Sequence, residues 1–135
     1  MRVRLRIVFM LLLVLSRCAP PAPQCSVGSP TLRAELFFGR SLHGGGAVSD
    51  ADWSDFLARE VTPRFPDGLT IIAAQGQWQP RSGTAVIRED TWVVVIAADL
   101  GPATDQRLAA IRAAYQARFH QESVGLVTTP GCASF

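Results

Sequence analysis

The order in which strand-like and helix-like patterns follow one another constrains the fold of this chain most. Residues 31–39 alternate between apolar and mostly polar side chains, as expected for a half-buried strand. Two later segments, 69–79 and 85–98, are also typical of strands and are separated by turn residues. A last short strand is predicted at 124–128. The strands therefore come as one, then two together, then one.

Two helices are predicted between these strands. Ser49, followed by Asp52, forms a variant of the capping box and opens the first helix. That helix ends near Pro63, because the residue before a proline avoids α geometry. The second helix begins at Pro102. Its apolar stripe consists of Leu108, Ile111, Tyr115 and Phe119.

The β-α-β-β-α-β order predicts an α+β, ferredoxin-like fold. Right-handed crossovers give an antiparallel four-stranded sheet of order 4-1-3-2 with both helices on one face. The apolar run 92–96 predicts a central strand covered on both faces, and the charged residues 88–90 suggest a bulge in it. We expect one domain at 31–130 and a C-terminal tail at 131–135.

The N-terminus has the pattern of an export signal. Three arginines precede nine consecutive apolar residues, 7–15, which are too few to span a bilayer. The following residues resemble a lipoprotein lipobox in which Cys18 becomes lipidated, although Arg17 departs from it. Ordinary cleavage that releases a soluble protein is the alternative. We therefore predict a signal peptide at 1–18, a proline-rich linker at 19–30, and an envelope location, either periplasmic or anchored to the membrane by lipid.

Charge argues against nucleic acid as a partner. Four of the thirteen basic residues lie in the first 17 positions, so the mature part has nine basic and eleven acidic residues. Nucleic-acid binding requires a basic face that neutralises phosphates. No cofactor-binding motif is present, and we expect no cofactor.

The predicted topology pairs two of the three cysteines. The first and fourth strands are antiparallel neighbours, so Cys25, before the first, and Cys132, after the fourth, fall at the same edge. Export predicts an oxidising compartment, and two cysteines remain once Cys18 is lipidated or removed. We predict a Cys25–Cys132 disulfide; two unpaired thiols in the tails are the alternative.

Several segments resemble a known bacterial family. They are residues 34–39 (AELFFG), Trp53 with Phe56, residues 61–70 (VTPRFPDGLT) and residues 76–78 (GQW). Together they are similar to the family called domain of unknown function 3574, over about residues 31 to 130. The resemblance implies an exported, often lipoprotein-like context. It implies no activity, cofactor or catalytic residue.

Two groups of polar residues are candidate sites. His43, His120 and Glu122 fall at one edge of the predicted sheet and are weak metal-ligand candidates, since no paired-ligand spacing supports them. We therefore predict no metal, and the glycine run 44–46 beside them is interpreted as a connector.

The opposite edge holds Glu60, Arg64 and Asp67, together with Asp99. Glu60 lies four residues before Arg64, the favourable order for a helical ion pair. A fixed arginine beside carboxylates can bind a ligand carboxylate or can fasten the turn to the helix. These residues are the best ligand-binding candidates, although the structural role is favoured.

The sequence does not determine the function. The first hypothesis is a non-enzymatic envelope module that binds a small ligand or an envelope protein. The second is a small enzyme of the dimeric α/β-barrel type, for which no catalytic residue can be named. If Trp78 and Trp92 both lie on the sheet face away from the helices, a homodimer would cover that face.

Overall fold

The computed structural model describes residues 23–79 and 83–135. The predicted signal peptide, the lipidation site at Cys18, the start of the linker and the tip of the hairpin around Arg81 lie outside the described residues. The elements are β1 (Ser29–Gly39), α1 (Asp50–Phe56), a π-helical turn (Leu57–Val61), β2 (Thr70–Trp78), β3 (Ile87–Ala98), α2 (Pro102–Phe119) and β4 (Gly125–Ala133).

The four strands form one antiparallel sheet in the order β2-β3-β1-β4. This is the predicted 4-1-3-2 order, counted from the other edge, so the expected α+β fold is confirmed. In the centre, Leu36 of β1 lies opposite Val94 of β3 on one side and Leu126 of β4 on the other. The outer strand β2 pairs with β3 from Thr70 to Trp78.

Alternation along β1 separates the two faces of the sheet. Leu32, Ala34, Leu36 and Phe38 are all buried. Phe38 contacts the rings of Trp53 in α1 and Tyr115 in α2, with ring centroids 5.2 and 4.8 Å away. Both helices therefore cover the face that carries Phe38, and we call the opposite side the open face.

The ends of the helices follow the sequence signals. The Ser49 hydroxyl accepts a hydrogen bond from the Asp52 amide at 3.1 Å and so caps α1. After Phe56 the backbone widens into the π-helical turn before Pro63. Pro102 occupies the first turn of α2, and His120 ends that helix in the left-handed conformation.

Two expectations about the strands are wrong. Pairing of β3 with β2 continues without a break from Val95 to Ile87, so residues 88–90 form no bulge. The fourth strand runs to Ala133 rather than to 128, because its backbone keeps pairing with β1 as far as Ser29. Pro130 is tolerated there because β4 is an edge strand, where the missing amide is not needed.

The tryptophans lie on opposite faces of the sheet. Trp92 lies on the helix side and stacks on Trp53, with centroids 5.8 Å apart. Trp78 pairs with Ile87 on the open face and is 48% exposed. The two tryptophans therefore do not form a shared apolar face. The open side of β3, including Val93 and Val95, is only half-buried, so the helices cover this strand on one face and not on both.

The predicted disulfide is confirmed. Cys25 and Cys132 are bonded, with their Cα atoms 5.7 Å apart and a sequence separation of 107. The bridge joins the segment that precedes β1 to the end of β4, where Cys132 still pairs with β1. Within the described ranges, no helix is long and apolar enough to cross a membrane.

We predict that reduction of this disulfide destabilises the domain strongly. Closing a loop of this length restricts the unfolded chain, by about 4–5 kcal/mol on the chain-entropy account. Urea unfolding of the oxidised protein and of the Cys25→Ser, Cys132→Ser double variant measures the difference. Equal midpoints and slopes for the two proteins would contradict the prediction.

Candidate functional site

A cavity of about 660 Å³ opens on the open face, at the end of the sheet opposite the disulfide. We call it the glycine pocket. Its volume lies in the range usual for small-molecule sites. It is lined by Phe37, Gly39, Ser41, Leu42, His43, Gly76, Gln77, Trp78, Ile87, Glu89, Thr91, Gln121, Glu122, Ser123 and Gly125.

The depth of the pocket comes from three glycines on three strands. Gly39, Gly76 and Gly125 belong to β1, β2 and β4, and strand register puts all three on the open face. A Cβ atom at Gly39 would lie 2.8 Å from a Glu89 carboxylate oxygen, and one at Gly76 would lie 3.0 Å from the Thr91 hydroxyl. Side chains at these positions would therefore collide with the pocket's own polar groups.

Apolar side chains form the walls. Phe37 stands beside Gly125, where an added Cβ would lie only 3.2 Å from the Cβ of Phe37. Across the depression, Trp78 and Ile87 form a cross-strand pair and remain 48% and 37% exposed. The two walls offer flat apolar surfaces on either side of a floor that is open at its three glycines.

Two polar side chains of β3 lie in the floor. Thr91 is 8% exposed, and the one partner of its hydroxyl among the described residues is the Glu89 carbonyl oxygen at a long 3.5 Å. The Glu89 carboxylate accepts a hydrogen bond from the Ser41 amide at 3.4 Å. Within 23–79 and 83–135, Glu89 has no ion pair, and the lining includes no lysine or arginine.

The loop after β1 closes one side of the pocket. Gly44, Gly45 and Gly46 all have positive φ values, which allows the chain to turn back within a few residues. The turn is held by the Leu42 amide, which donates to the Gly46 carbonyl oxygen at 3.1 Å. The Gln121 side chain donates to the Ser41 carbonyl oxygen at 2.7 Å and ties this loop to the segment before β4.

Two of the three weak metal candidates meet at the rim of this pocket. His43 Nε2 lies 3.4 Å from Glu122 Oε1, and both side chains are largely exposed. His120, at the end of α2, does not join them: no group of three or more metal-ligating side chains occurs in the part of the chain that the structure describes. One imidazole and one carboxylate on mobile side chains are a poor basis for a metal centre.

Tyr115 supports the floor from the helix side. Its buried hydroxyl donates to the Gly39 carbonyl oxygen at 2.9 Å. Burial raises the pKa of the Tyr115 phenol to about 12, with the nearby Glu89 charge acting in the same direction and Arg40 opposing it. The hydroxyl therefore remains a donor at physiological pH and fixes the end of β1 where the pocket begins.

At the other end of the sheet, the structure places Glu60 and Arg64 together. Arg64 donates to the Glu60 carboxylate at 2.8 Å and to its carbonyl oxygen at 2.6 Å, so the predicted i,i+4 pair is present. The Arg107 guanidinium lies over the Phe65 ring and donates to the Arg64 carbonyl oxygen. Asp67 is exposed on the turn and has no ion pair within the described segments.

These contacts give Arg64 a structural role. Its side chain ties the turn to Glu60 in the π-helical segment, and Arg107 of α2 holds the same turn through the Arg64 carbonyl oxygen. They do not test whether Glu60, Arg64 and Asp67 also bind a ligand, and that assignment stays a prediction. Neither the glycine pocket nor the smaller cavity beside Arg40 and Asp90 is lined by these residues.

The glycine pocket was not predicted from the sequence. Gly76 lies inside a strand, and an internal strand glycine is a known sign of a close approach by another group. That signal was available, but Gly39, Gly76 and Gly125 are far apart in the chain. Only the strand order brings them to one end of one face.

A family model agrees with this fold and with the sequence resemblance. Residues 33–135 match the family described as "Protein of unknown function (DUF3574)". The chain belongs to this family. The match includes β1 from residue 33 onward, the other three strands, both helices and the three glycines of the pocket. Among curated proteins, none matches the chain.

Two solved structures share the architecture of this family member. One is a phage SAM lyase in complex with S-methyl-5'-thioadenosine, with 18% identity and a TM-score of 0.59, covering 82% of this chain and 95% of the lyase. The other is a phage SAM lyase in the apo state, with 16% identity and a TM-score of 0.58, covering 84% and 98%. At such identities the likeness shows the fold alone.

We predict that alkaline pH destabilises the domain through Tyr115. Because the folded-state pKa is raised above the ordinary value of 10.0 to about 12, the folded state holds the phenolic proton more tightly than the unfolded state does. This contribution to stability is complete below pH 10 and is lost as pH rises through the folded pKa. Thermal unfolding at a series of pH values measures it.

The variant Tyr115→Phe is the control for this prediction. It should lose about 1 kcal/mol at neutral pH because the Gly39 carbonyl loses its donor, and its stability should fall less steeply at alkaline pH. An equally steep fall in the variant would show that another group is responsible.

Proposed function

We propose that this protein is an exported, lipid-anchored envelope protein whose glycine pocket binds a small organic cation with a flat apolar part. The observation that carries the proposal is the glycine-lined floor framed by Phe37 and Trp78 and bearing the Glu89 carboxylate, which has no ion pair among the described residues. The proposal concerns a small ligand, and it leaves a role for the Glu60–Arg64–Asp67 edge in contacts with an envelope protein as a separate prediction.

The shape of the pocket supports a flat ligand. A flat group can lie on the floor between Phe37 and the Trp78–Ile87 pair, because Gly39, Gly76 and Gly125 carry no side chains that keep it away. Aromatic walls favour offset stacking or edge contacts with such a ring. A ligand without a planar group would leave much of this surface unused.

The charge of the pocket supports a cation. Glu89 and Glu122 are the ionisable side chains of the lining besides His43, and within the described residues Glu122 has only His43 as its partner. An anion would meet these carboxylates in a lining whose described residues include no lysine or arginine. A sulfonium or substituted ammonium group can approach Glu89 while its apolar substituents contact Trp78, where the ring face also attracts positive charge.

Export and anchoring are supported by different features. The arginine-rich start, the short apolar run and the lipobox-like residues before Cys18 are typical of a lipoprotein signal. A disulfide that closes almost the whole domain fits an oxidising compartment. An envelope protein with an open pocket could present a ligand site close to the membrane.

A second candidate function is a small enzyme that acts on the same class of ligand. The similar fold of phage SAM lyase, including a complex with S-methyl-5'-thioadenosine, favours it. S-adenosylmethionine is a sulfonium cation. When its own carboxylate attacks the γ-carbon, a C–O bond forms to give a lactone, the C–S bond breaks, and its electron pair returns to sulfur and leaves this neutral thioether. Formation of S-methyl-5'-thioadenosine from S-adenosylmethionine, followed by chromatography, tests for turnover.

We predict that the pocket distinguishes two probes that differ by one S-methyl group and the positive charge that it brings. S-methyl-5'-thioadenosine is neutral, and its S-methylated derivative is a dimethylsulfonium with the same ring. The sulfonium should bind about tenfold more tightly, because it gains a charge-assisted contact with Glu89. Calorimetric titration of both probes measures the ratio, and Glu89→Gln should abolish most of it.

Glu35→Gln is the matched control, since Glu35 lies on the open face outside the pocket and is paired with Arg33 at 2.7 Å. It should leave the ratio unchanged. Equal binding of the two probes to the native protein would show that the pocket has no preference for a cation. If neither probe binds, and if Gly76→Val binds a ligand found later as tightly as the native protein does, the glycine pocket is not the binding site.

The anchor has its own test. Protein purified from the membrane fraction should have an intact mass that begins at a diacylated Cys18, and Cys18→Ala should shift the protein to the soluble fraction. A native protein that is soluble and begins at another residue would show that Arg17 prevents lipidation.

A further inference from the structure

We infer that β2 is the contact surface of a homodimer, in which the β2 strands of two copies pair antiparallel and join their sheets into one of eight strands. This inference goes beyond the proposed ligand and rests on the edge of the sheet. It places the contact along the edge, whereas a dimer that covered the open face would bury the glycine pocket.

The first observation is that β2 lacks the features that protect edge strands. It is the outermost strand at its side of the sheet, and its sequence, TIIAAQGQW, contains no charged residue and no proline. It pairs with β3 over nine consecutive residues without a bulge. Proteins usually protect such an edge with charges, prolines, bulges or short strands, because its free amides and carbonyls are a template for another strand.

The opposite edge provides the contrast within the same molecule. β4 contains Pro130, which cannot donate a backbone hydrogen bond, and Gly131 beside it lowers strand propensity further. The Cys25–Cys132 disulfide also lies at the end of this strand. One edge of the sheet is therefore protected against pairing and the other is not.

The second observation is that β2 is accessible from both sides. On the open face Ile72 is 47% exposed, and on the helix face Ile71 is 40% exposed and Ala73 is also exposed. The described parts of the two helices therefore do not overhang this strand. A second copy can approach along the whole edge, and its own isoleucines would be removed from water by the contact.

The third observation is that the strand is complementary to itself. An antiparallel register centred on Ala74 is the one that pairs all nine residues of each copy. On the open face it places Ile72 opposite Gly76 and Thr70 opposite Trp78, with Ala74 opposite its own copy. Large side chains then meet small ones, and no like charges face each other. This match within one sequence is the reason for choosing a second copy over an unrelated peptide as the partner.

Pairing in this register would also complete the glycine pocket. Gly76 and Trp78 line the pocket, so Ile72 and Thr70 of the second copy would stand beside them at its edge. Each copy would then contribute to the other's site, which a monomer leaves open on that side.

The experiment uses the full chain, expressed with its own leader and purified in mild detergent. Sedimentation over a range of concentrations should show a reversible dimer for the native protein. Ala74→Lys should raise the dissociation constant of the dimer at least about tenfold, because the register sets the two lysines directly opposite each other. Ala74→Glu should do the same.

A mixture of the two variants is the decisive measurement. Ala74→Lys and Ala74→Glu together should form a heterodimer, since opposite charges then face each other; a merely misfolded variant would not be rescued. Thr129→Lys, on the open face of β4, is the matched control and should dimerise like the native protein. A monomeric native protein, dimers of Ala74→Lys alone, or a mixture that stays monomeric would each overturn the inference.

Discussion

Phe38 packs against three aromatic rings supplied by both helices: Trp53, Phe56 and Tyr115, with centroids 4.8 to 5.9 Å away. This contact sets which face of β1 belongs to the core, because successive side chains of a strand point to opposite faces. Phe37 and Gly39, on either side of Phe38, are thereby placed on the open face. The core and the candidate site are therefore the two sides of one central strand.

Tyr115 connects these two sides directly. Its ring packs on Phe38, while its hydroxyl donates to the carbonyl oxygen of Gly39, the last residue of β1. The helix layer thus holds the backbone that forms the pocket floor. The Glu89 carboxylate lies beside Gly39, where an added Cβ would be only 2.8 Å from its nearest oxygen. A change in the core beneath Gly39 would consequently move the carboxylate that we assign to ligand binding.

The disulfide and the glycine pocket lie at opposite ends of the sheet. The disulfide fastens the beginning of β1 to the end of β4, and the pocket lies where β1 ends and β4 begins. A strand of 11 residues separates the two ends, which corresponds to roughly 35 Å. Loops at the pocket end can therefore vary in sequence without weakening the disulfide-bonded end of the sheet. The Glu60–Arg64 pair shares the end that carries the disulfide and fixes a turn there.

The proposals about ligand and partner use separate surfaces of the same sheet. The ligand would occupy the open face over Glu89, and the second copy would extend the edge beyond Gly76. The two proposals meet at Gly76 and Trp78, which belong both to the pocket and to β2. Edge-to-edge pairing leaves the open face accessible, whereas packing of two open faces would bury charged side chains such as Glu35 and Arg33.

Local patterns in the sequence were sufficient for the elements, their order and the disulfide. The alternation in β1, the Ser49 cap and the Pro102 start are local signals, and right-handed crossovers leave a single plausible order for the strands. The partnership of Cys25 and Cys132 follows from that order alone. The end of β4 was underestimated because residues 129–133 have little strand propensity of their own; pairing with β1 holds them in the sheet.

The tertiary structure alone decided where a site can lie. Whether Trp78 shares a face with Trp92 depends on strand register, and a difference of one residue reverses every side chain. The glycine pocket depends on glycines in β1, β2 and β4 and on the Glu89 carboxylate of β3. Their sequence separation hides this grouping from any local pattern. Sequence determined the framework because secondary structure follows short-range periodicity, and the structure decided the site because a pocket is made by contacts between distant segments.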